Sequence, residues 1–596
     1  MASLSQSVPR RHNVPHGGLS SRDAEMREES GEDVANWQQR KIRGVVPCAK
    51  CDGVRPKCGP CGRSMGFQDC EYAEEGPTKT EQLEAQIAFL EARIEELEKP
   101  PELSPSFVPN TVFGTRRAAS LPALSRGGTP RPAHSPIPYA SASPTGSSSS
   151  FHGPEDIPRP ELDALVLNFL QHSSQFGFFL HLERFTEAVM GRSGSRPSPA
   201  LLHAVHLFAV HISGNDELVA TFEARYLSRA LRSAVDSLSS SSSNILHAIQ
   251  AEVLLSQYFF RTTRILEGKY HLSAAISLVL SSGLHRIRSA DASATRGFLG
   301  ASSFRAAGGP RAPAEDLEQI AAFWTVLTMN NCWTTADGSP SNIDYTSSAP
   351  DARIDSPWPV DVDHGDESDL PEVSLGTVVS FLSSSPDSET SLSALHAKAA
   401  ILFEQASRLA DSYHLNMNAA QLNAFNDSFR RLQALIERFA QNLPSLDNGA
   451  GGVEYTREVF LIHALARVAS IQLHNPFVHL EDCNCNARGY ALDAARAIVA
   501  DLNAIPVSQF QFIDPIAGTV FMATAQVFIQ ELRRYRRVQE TPNGFWDGDM
   551  TERELMDAVE TVLATMNLFS PTCRLMESQL DTMRQAYQSA LGASHH

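Results

Sequence analysis

From Glu161 to the C-terminus, apolar residues return every three or four positions, as in ELDALVLNFLQH, LLHAVHLFAVHI, NILHAIQAEVLLSQYFF, EVFLIHALARVASIQLH and ALDAARAIVADL. That spacing puts one side chain from each turn on a common helical stripe, whereas a half-buried strand would alternate. No alternating block and no strand–helix–strand repeat interrupts the run, and glycine and proline fall mostly between the periodic stretches. The fold class that follows is all-α. Residues 156–596 are expected to form one large helical domain, with loops near 286–314, 334–370 and 444–452.

The preceding chain is built differently. Residues 1–36 are polar, mixed in charge and aperiodic, a composition too poor in apolar surface to order itself, and are expected to be a disordered arm. Thr78 to Lys99 reads TKTEQLEAQIAFLEARIEELEK, and its apolar residues Leu83, Ile87, Leu90, Ile94 and Leu97 alternate spacings of four and three. This seam puts leucine at d and isoleucine at a, a combination that favours parallel two-stranded coiled coils. Lys79 and Arg93 at g would face Glu84 and Glu98 at e of a partner. An amphipathic helix docked on its own protein is the alternative, because so short a coiled coil is marginal by itself. A dimerisation helix over 78–99, pairing with itself or a related factor, is the expectation. Pro100-Pro101 ends it, and residues 100–155 are expected to be a disordered Pro/Ser-rich linker.

Cys48, Cys51, Cys58, Cys61 and Cys70 lie together in residues 37–75, while Cys332, Cys483, Cys485 and Cys573 are scattered. Crowded thiolates repel unless a cation or a disulfide holds them. Two CxxC pairs supply four sulfurs for one tetrahedral zinc ion through Cys48, Cys51, Cys58 and Cys61, with Cys70 as an alternate ligand. Zinc is the expected cofactor, and cysteines concentrated in this way suit a reducing compartment. A second group, His474, His479, Cys483 and Cys485, reads better as a loop between helices, since Cys-x-Cys grips one zinc poorly and Asn475-Pro476 follows where a helix would end.

The formal net charge of −18 argues against a generally nucleic-acid-binding surface, but the sign is local. Between Trp37 and Arg63 seven basic residues face one acid, Asp52, and a basic head on an acidic body fits DNA contact through one module. The N-terminus has no apolar signal-peptide core, and no stretch is long and apolar enough for a membrane span. GxSxG, HExxH, GxGxxG and GxxxxGK[ST] are absent, so no enzyme activity is expected. His203, His206 and His211 share one amphipathic stretch, where packed histidines are commoner than ligands. Phe323, Trp324, Trp333 and Trp358 are expected to build packing.

The run Cys51-Asp52-Gly53-Val54-Arg55-Pro56-Lys57-Cys58, then Cys61, then Asp69-Cys70-Glu71-Tyr72 resembles the fungal-type Zn(2)-C6 binuclear cluster, the DNA-binding module of a large class of fungal transcription factors. In that family six thiolates share two zinc ions, and a basic segment of the form RxRKxKC leads into the third cysteine. Here five cysteines are present, and Cys51 runs straight into Asp-Gly-Val-Arg-Pro. Either a segment is missing after Cys51, or Cys51 is the third cysteine and Lys41 and Gly44 stand where the first pair would be. Lys50, Arg55, Lys57 and Arg63 remain as candidate DNA contacts, of the phosphate-positioning kind.

The helical body resembles the regulatory middle homology region of the same factors over roughly 160–480. One matching segment runs from Glu267-Gly268-Lys269-Tyr270 through Ala274-Ala275 to Gly283-Leu284-His285-Arg286. The other runs from Phe323-Trp324 through Gly338-Ser339-Pro340 to Pro357-Trp358-Pro359. The resemblance implies a nuclear, zinc-dependent, sequence-specific regulator of RNA polymerase II transcription. It would act as a dimer on CGG-like half-sites in double-stranded DNA, with a small-molecule effector site in the helical body conceivable. The alternative it leaves open is a DNA-binding-impaired protein that dimerises with an intact relative.

Overall fold

The computed structural model describes residues 156–193, 196–239, 244–290, 313–345, 352–363, 365, 370–385, 389–446, 452–478, 486–541, 545–546 and 548–592. The cysteine module over 37–75, the heptad helix over 78–99 and the linker over 100–155 lie outside them. Among the described residues the secondary structure is helical, with a single parallel bridge between Ser289 and Ser374 and no strand. The all-α expectation for the body holds.

Helix starts follow local chemistry. α1 (Arg159–Gln171) and α3 (Pro199–His211) carry proline in the first turn, where its missing N–H costs nothing. The Ser198 hydroxyl accepts the Leu201 N–H to cap α3, and Asn244 caps α5 (Ile245–Arg261) through Leu246. α2 (Leu182–Val189), α4 (Asp216–Ser239) and α6 (Ile265–Ser281) complete the first group. α7 (Pro313–Asp337), the short α8 (Thr377–Leu382), α9 (Leu392–Asp411), α10 (Ala419–Gln441) and α11 (Gly452–His474) form the middle. α12 (Ala487–Ala504), α13 (Ile516–Glu540), α14 (Glu552–Phe569) and α15 (Arg574–Gly592) close the chain. α10 and α14 open with reciprocal capping boxes, Asn418 with Gln421 and Thr551 with Glu554.

Helices near one another in the chain pack together: α3 on α4, α5 on α6, α7 on α9, α9 on α11, α11 on α12, and α13 on α14 and α15. One continuous apolar core runs from Ile157 to Ala590. α5 lies at its centre, buried on every side, so its polar residues need internal partners. Gln250 accepts the Phe179 N–H at 2.7 Å and donates to the Gly177 carbonyl at 3.0 Å. Glu252 meets His271 at 2.6 Å. Arg261, only 1% exposed, donates to the carbonyls of Ile513 and Thr572 and lies over the rings of Phe176 and Phe512. A charge on α5 thereby ties the first helices to the last.

The two diffuse motifs acquire physical reasons. A Cβ on Gly268 would come within 2.6 Å of the Phe260 ring, which itself stacks on Trp333 with centroids 3.7 Å apart. Only glycine lets α6 approach so closely. Lys269 reaches Asp337 and Ser339 of the second motif, and Gly283 takes the left-handed conformation that ends α6 (φ 71°). Trp324 donates to the Pro357 carbonyl at 2.6 Å and stacks on Trp358. The backbone N–H groups of Asp355 and Ser356 donate to the His285 carbonyl at 2.9 and 3.1 Å. The Asp355 carboxylate, fully buried, accepts from Arg353, Ser289 and the Gly376 N–H. Burial alone would push this carboxyl up, but those bonds outweigh it and hold it below the ordinary range.

The loop boundaries differ slightly from expectation. α7 continues to Asp337 rather than breaking at 334, because Thr334 bonds back to the Asn330 carbonyl inside the helix and the left-handed stop comes at Gly338.

Candidate functional site: a carboxylate-lined cavity

A cavity of about 940 Å³ opens between the turn after α1, helices α5, α7, α9 and α11, and the segment leading into α13. Its size falls within the ~300–1,000 Å³ typical of small-molecule sites. One wall is apolar and aromatic, with Phe178, Phe179, Trp324, Met329 and Trp333. These come from α7 and from the chain just beyond Gly177, whose left-handed φ of 72° turns that segment inward.

Other lining residues carry charge. Glu454, Arg457 and Glu458 lie within two turns of α11, and Asp514 precedes α13. Asp361, Asp363 and Glu454 are exposed, whereas Glu458 and Asp514 sit further in. Burial pushes the Glu458 carboxyl up to about 7; Arg457 opposes the rise, and Asp361 and Glu454 add to it. Burial likewise raises Asp514 to about 6, although the Ile516 N–H donates to it at 2.9 Å and Arg261 and Gln257 also favour its ionised form. Burial alone drops His396 on α9 to about 4, so it is neutral near pH 7. The Arg457 guanidinium is engaged by the Gln175 amide oxygen at 3.1 and 2.9 Å.

Several of these atoms lack partners. Among the described residues the Oε1 of Gln257, a residue 1% exposed, and the Nε2 of His396 have no hydrogen-bond partner, and Glu458 accepts no hydrogen bond. For the buried Gln257 oxygen this costs on the order of 1–3 kcal/mol. Chemically, then, the arrangement is an acceptor-rich, net acidic recess with an aromatic wall. Among the described residues no three of His, Cys, Asp and Glu converge closely enough to hold a metal ion.

Of the site residues expected from sequence, Cys48, Cys51, Cys58, Cys61, Cys70, Lys50, Arg55, Lys57, Arg63, Leu83, Ile87, Leu90, Ile94 and Leu97 all lie outside the described residues. His479, Cys483 and Cys485 do too. His474 is packed at the end of α11, bonded to the Ser470 carbonyl at 2.8 Å and stacked on Tyr490, with the expected helix end at Asn475–Phe477. His203 meets Ser233 at 2.6 Å and His211 meets Glu223 at 2.7 Å, while burial lowers His206 to about 4; these are packing histidines, as expected. The cavity carboxylates were not foreseen. Their one sequence signal is an acid set in apolar surroundings, as with Asp514 in FIDPIAG and Glu458 in REVFLIHAL.

Among the described residues no helix is long and apolar enough to cross a membrane. Residues 166–437 match the family model described as the fungal specific transcription factor domain, a little under half of the chain. No curated protein matches the chain. The match ends within α10, so Glu454, Arg457, Glu458 and Asp514 lie beyond it although they share one cavity and one core with the matched helices.

Proposed function

We propose that this chain, whose fungal specific transcription factor domain supports a role as a fungal transcription regulator, acts in the nucleus as a zinc-dependent, sequence-specific DNA-binding dimer. The observation that carries the reading is this domain standing C-terminal to a cysteine cluster and a heptad seam in one chain. Cys48, Cys51, Cys58 and Cys61 have the spacing and chemistry to hold one zinc ion, which would supply the fixed frame that a module without a core of its own needs. Lys50, Arg55, Lys57 and Arg63 would contact phosphates. Leu83, Ile87, Leu90, Ile94 and Leu97 would pair two modules on CGG-like half-sites of double-stranded DNA. The helical body would carry regulation, with its cavity taking a small-molecule effector. Enzymatic activity forms no part of this reading.

The five-cysteine count favours a second reading beside it, in which DNA binding is impaired and the chain modulates an intact relative through the same coiled coil. Two tetrahedral zinc sites sharing bridges need six thiolates, and the basic segment that would read base edges is absent. Discrimination lost with base-edge contacts is about 1–3 kcal/mol per bidentate pair, whereas phosphate contacts persist and keep binding salt-dependent. Titrating the zinc-loaded chain against CGG-containing and scrambled duplexes at fixed salt separates the two readings. Strong CGG preference lost on chelation supports the first; weak, unselective binding that becomes CGG-selective when an RxRKxKC segment is inserted after Cys51 supports the second. No DNA binding by either form overturns the first reading, and failure of the 78–99 helix to pair with another such helix overturns the second.

A further inference from the structure

We propose that the cavity bounded by Trp324, Trp333, Gln257, Glu458 and Asp514 is a binding site for a small organic cation, an ammonium group carried on an aromatic body. The proposal deepens the effector role suggested above, but rests on residues of the helical body alone and stands whether or not the N-terminal module binds DNA.

Three observations converge. First, open acceptors call for donors: the Gln257 amide oxygen is buried and without a donor, the half-buried Glu458 carboxylate accepts no hydrogen bond, and both line the cavity. An ammonium presents up to three N–H donors, and charge-assisted bonds to carboxylates are the stronger kind. Second, the charge is one-sided. Asp361, Asp363, Glu454, Glu458 and Asp514 line the cavity against a single arginine, and the Arg457 guanidinium is already occupied by Gln175. His396, neutral near pH 7, offers no counter-charge. An anionic ligand would meet repulsion here, and the dispersal of the acids leaves no metal-chelating group among the described residues. Third, the lining also supplies aromatic surface. Trp324 and Trp333 are held in place by stacking on Trp358 and Phe260, so a ring or a cation can dock against pre-set indoles.

The arrangement also explains why the molecule keeps two acids where burial opposes their charge. A cation seated against Glu458 would return it to full ionisation and satisfy acceptors that the protein leaves open. The structure assigns Glu458 as the principal counter-ion, because Asp514 already accepts from Ile516 and Gln257 whereas Glu458 accepts from nothing.

The test uses the full chain and three indoles of similar shape: tryptamine (cation), indole-3-ethanol (neutral) and indole-3-acetate (anion), each titrated by calorimetry at pH 7.5. Tryptamine is expected to bind, the alcohol more weakly, and the acetate not at all. Glu458→Gln is expected to weaken tryptamine by about tenfold or more and to change the alcohol far less, while a thermal melt at pH 7.5 reports that the variant is folded. Asp514→Asn is expected to act in the same direction with a smaller loss. Absence of tryptamine binding, equal binding of cation and anion, or tryptamine affinity unchanged in both variants would overturn the proposal.

Discussion

Single side chains carry most of what distinguishes this molecule from a generic helical stack. Arg261, Asp355 and Glu252 are buried charges with partners; Glu458 is a half-buried carboxyl lining a cavity, with only the nearby Arg457 to favour its charge. That difference has a pH signature. An unfolded glutamate releases its proton near 4.5, whereas folded Glu458 holds it to about 7. Between those values the folded state binds the extra proton, so this residue's contribution to stability falls as pH rises through the window, by roughly 3 kcal/mol at most, and the full penalty applies above pH 7. Asp514 acts in the same direction up to about pH 6, while neutral His396 and His206 act oppositely, since the unfolded chain takes up protons there first as pH falls from 6.5 toward 4. Replacing Glu458 by glutamine isolates its term from the others. Thermal melts of Glu458→Gln and the parent chain should nearly coincide at pH 4.5, and the variant should melt several degrees higher at pH 8. A variant that melts lower at pH 8, or a gap independent of pH, contradicts the assignment.

Between elements, the contacts that matter are close approaches licensed by small residues. α6 lies against α5 because Gly268 leaves room for Phe260, and Phe260 in turn holds Trp333 at the cavity wall. Gly268→Ala would gain helix propensity of about 1 kcal/mol, yet the added methyl meets a ring whose other face is already stacked. Overpacking of this kind costs about 1–3 kcal/mol, so strain wins. The variant should therefore be less stable than the parent despite the better helix former, and Trp333 fluorescence should shift with the displaced ring. A more stable variant with unaltered emission would show that α5 and α6 do not rely on this approach. At this scale the sequence was informative about existence and poor about reason: Gly268, Gly283 and Trp324 stood out as a motif, but the close approach to Phe260, the left-handed stop and the bond to Pro357 are tertiary facts that no spacing encodes.

At the scale of the whole molecule, the described body was legible as all-α from its period, and the matched domain from its motifs, because helices repeat along the chain and turns carry glycine and proline in fixed places. The cavity was not, because Gln257, Trp333, Glu458 and Asp514 are far apart in sequence and come to line one cavity only through packing, which neither a helical period nor a motif marks. The candidate DNA and zinc residues remain where the sequence placed them, N-terminal to the described body, and what joins the two parts functionally is the claim that this helical region governs transcription. The most direct test fuses the full chain to an unrelated DNA-binding module and reads a reporter under that module's own site in a fungal cell, which removes any dependence on the five-cysteine cluster. The account predicts reporter output displaced several-fold from that of the module alone; output indistinguishable from the module alone, with the fusion shown to be expressed and nuclear, would contradict it.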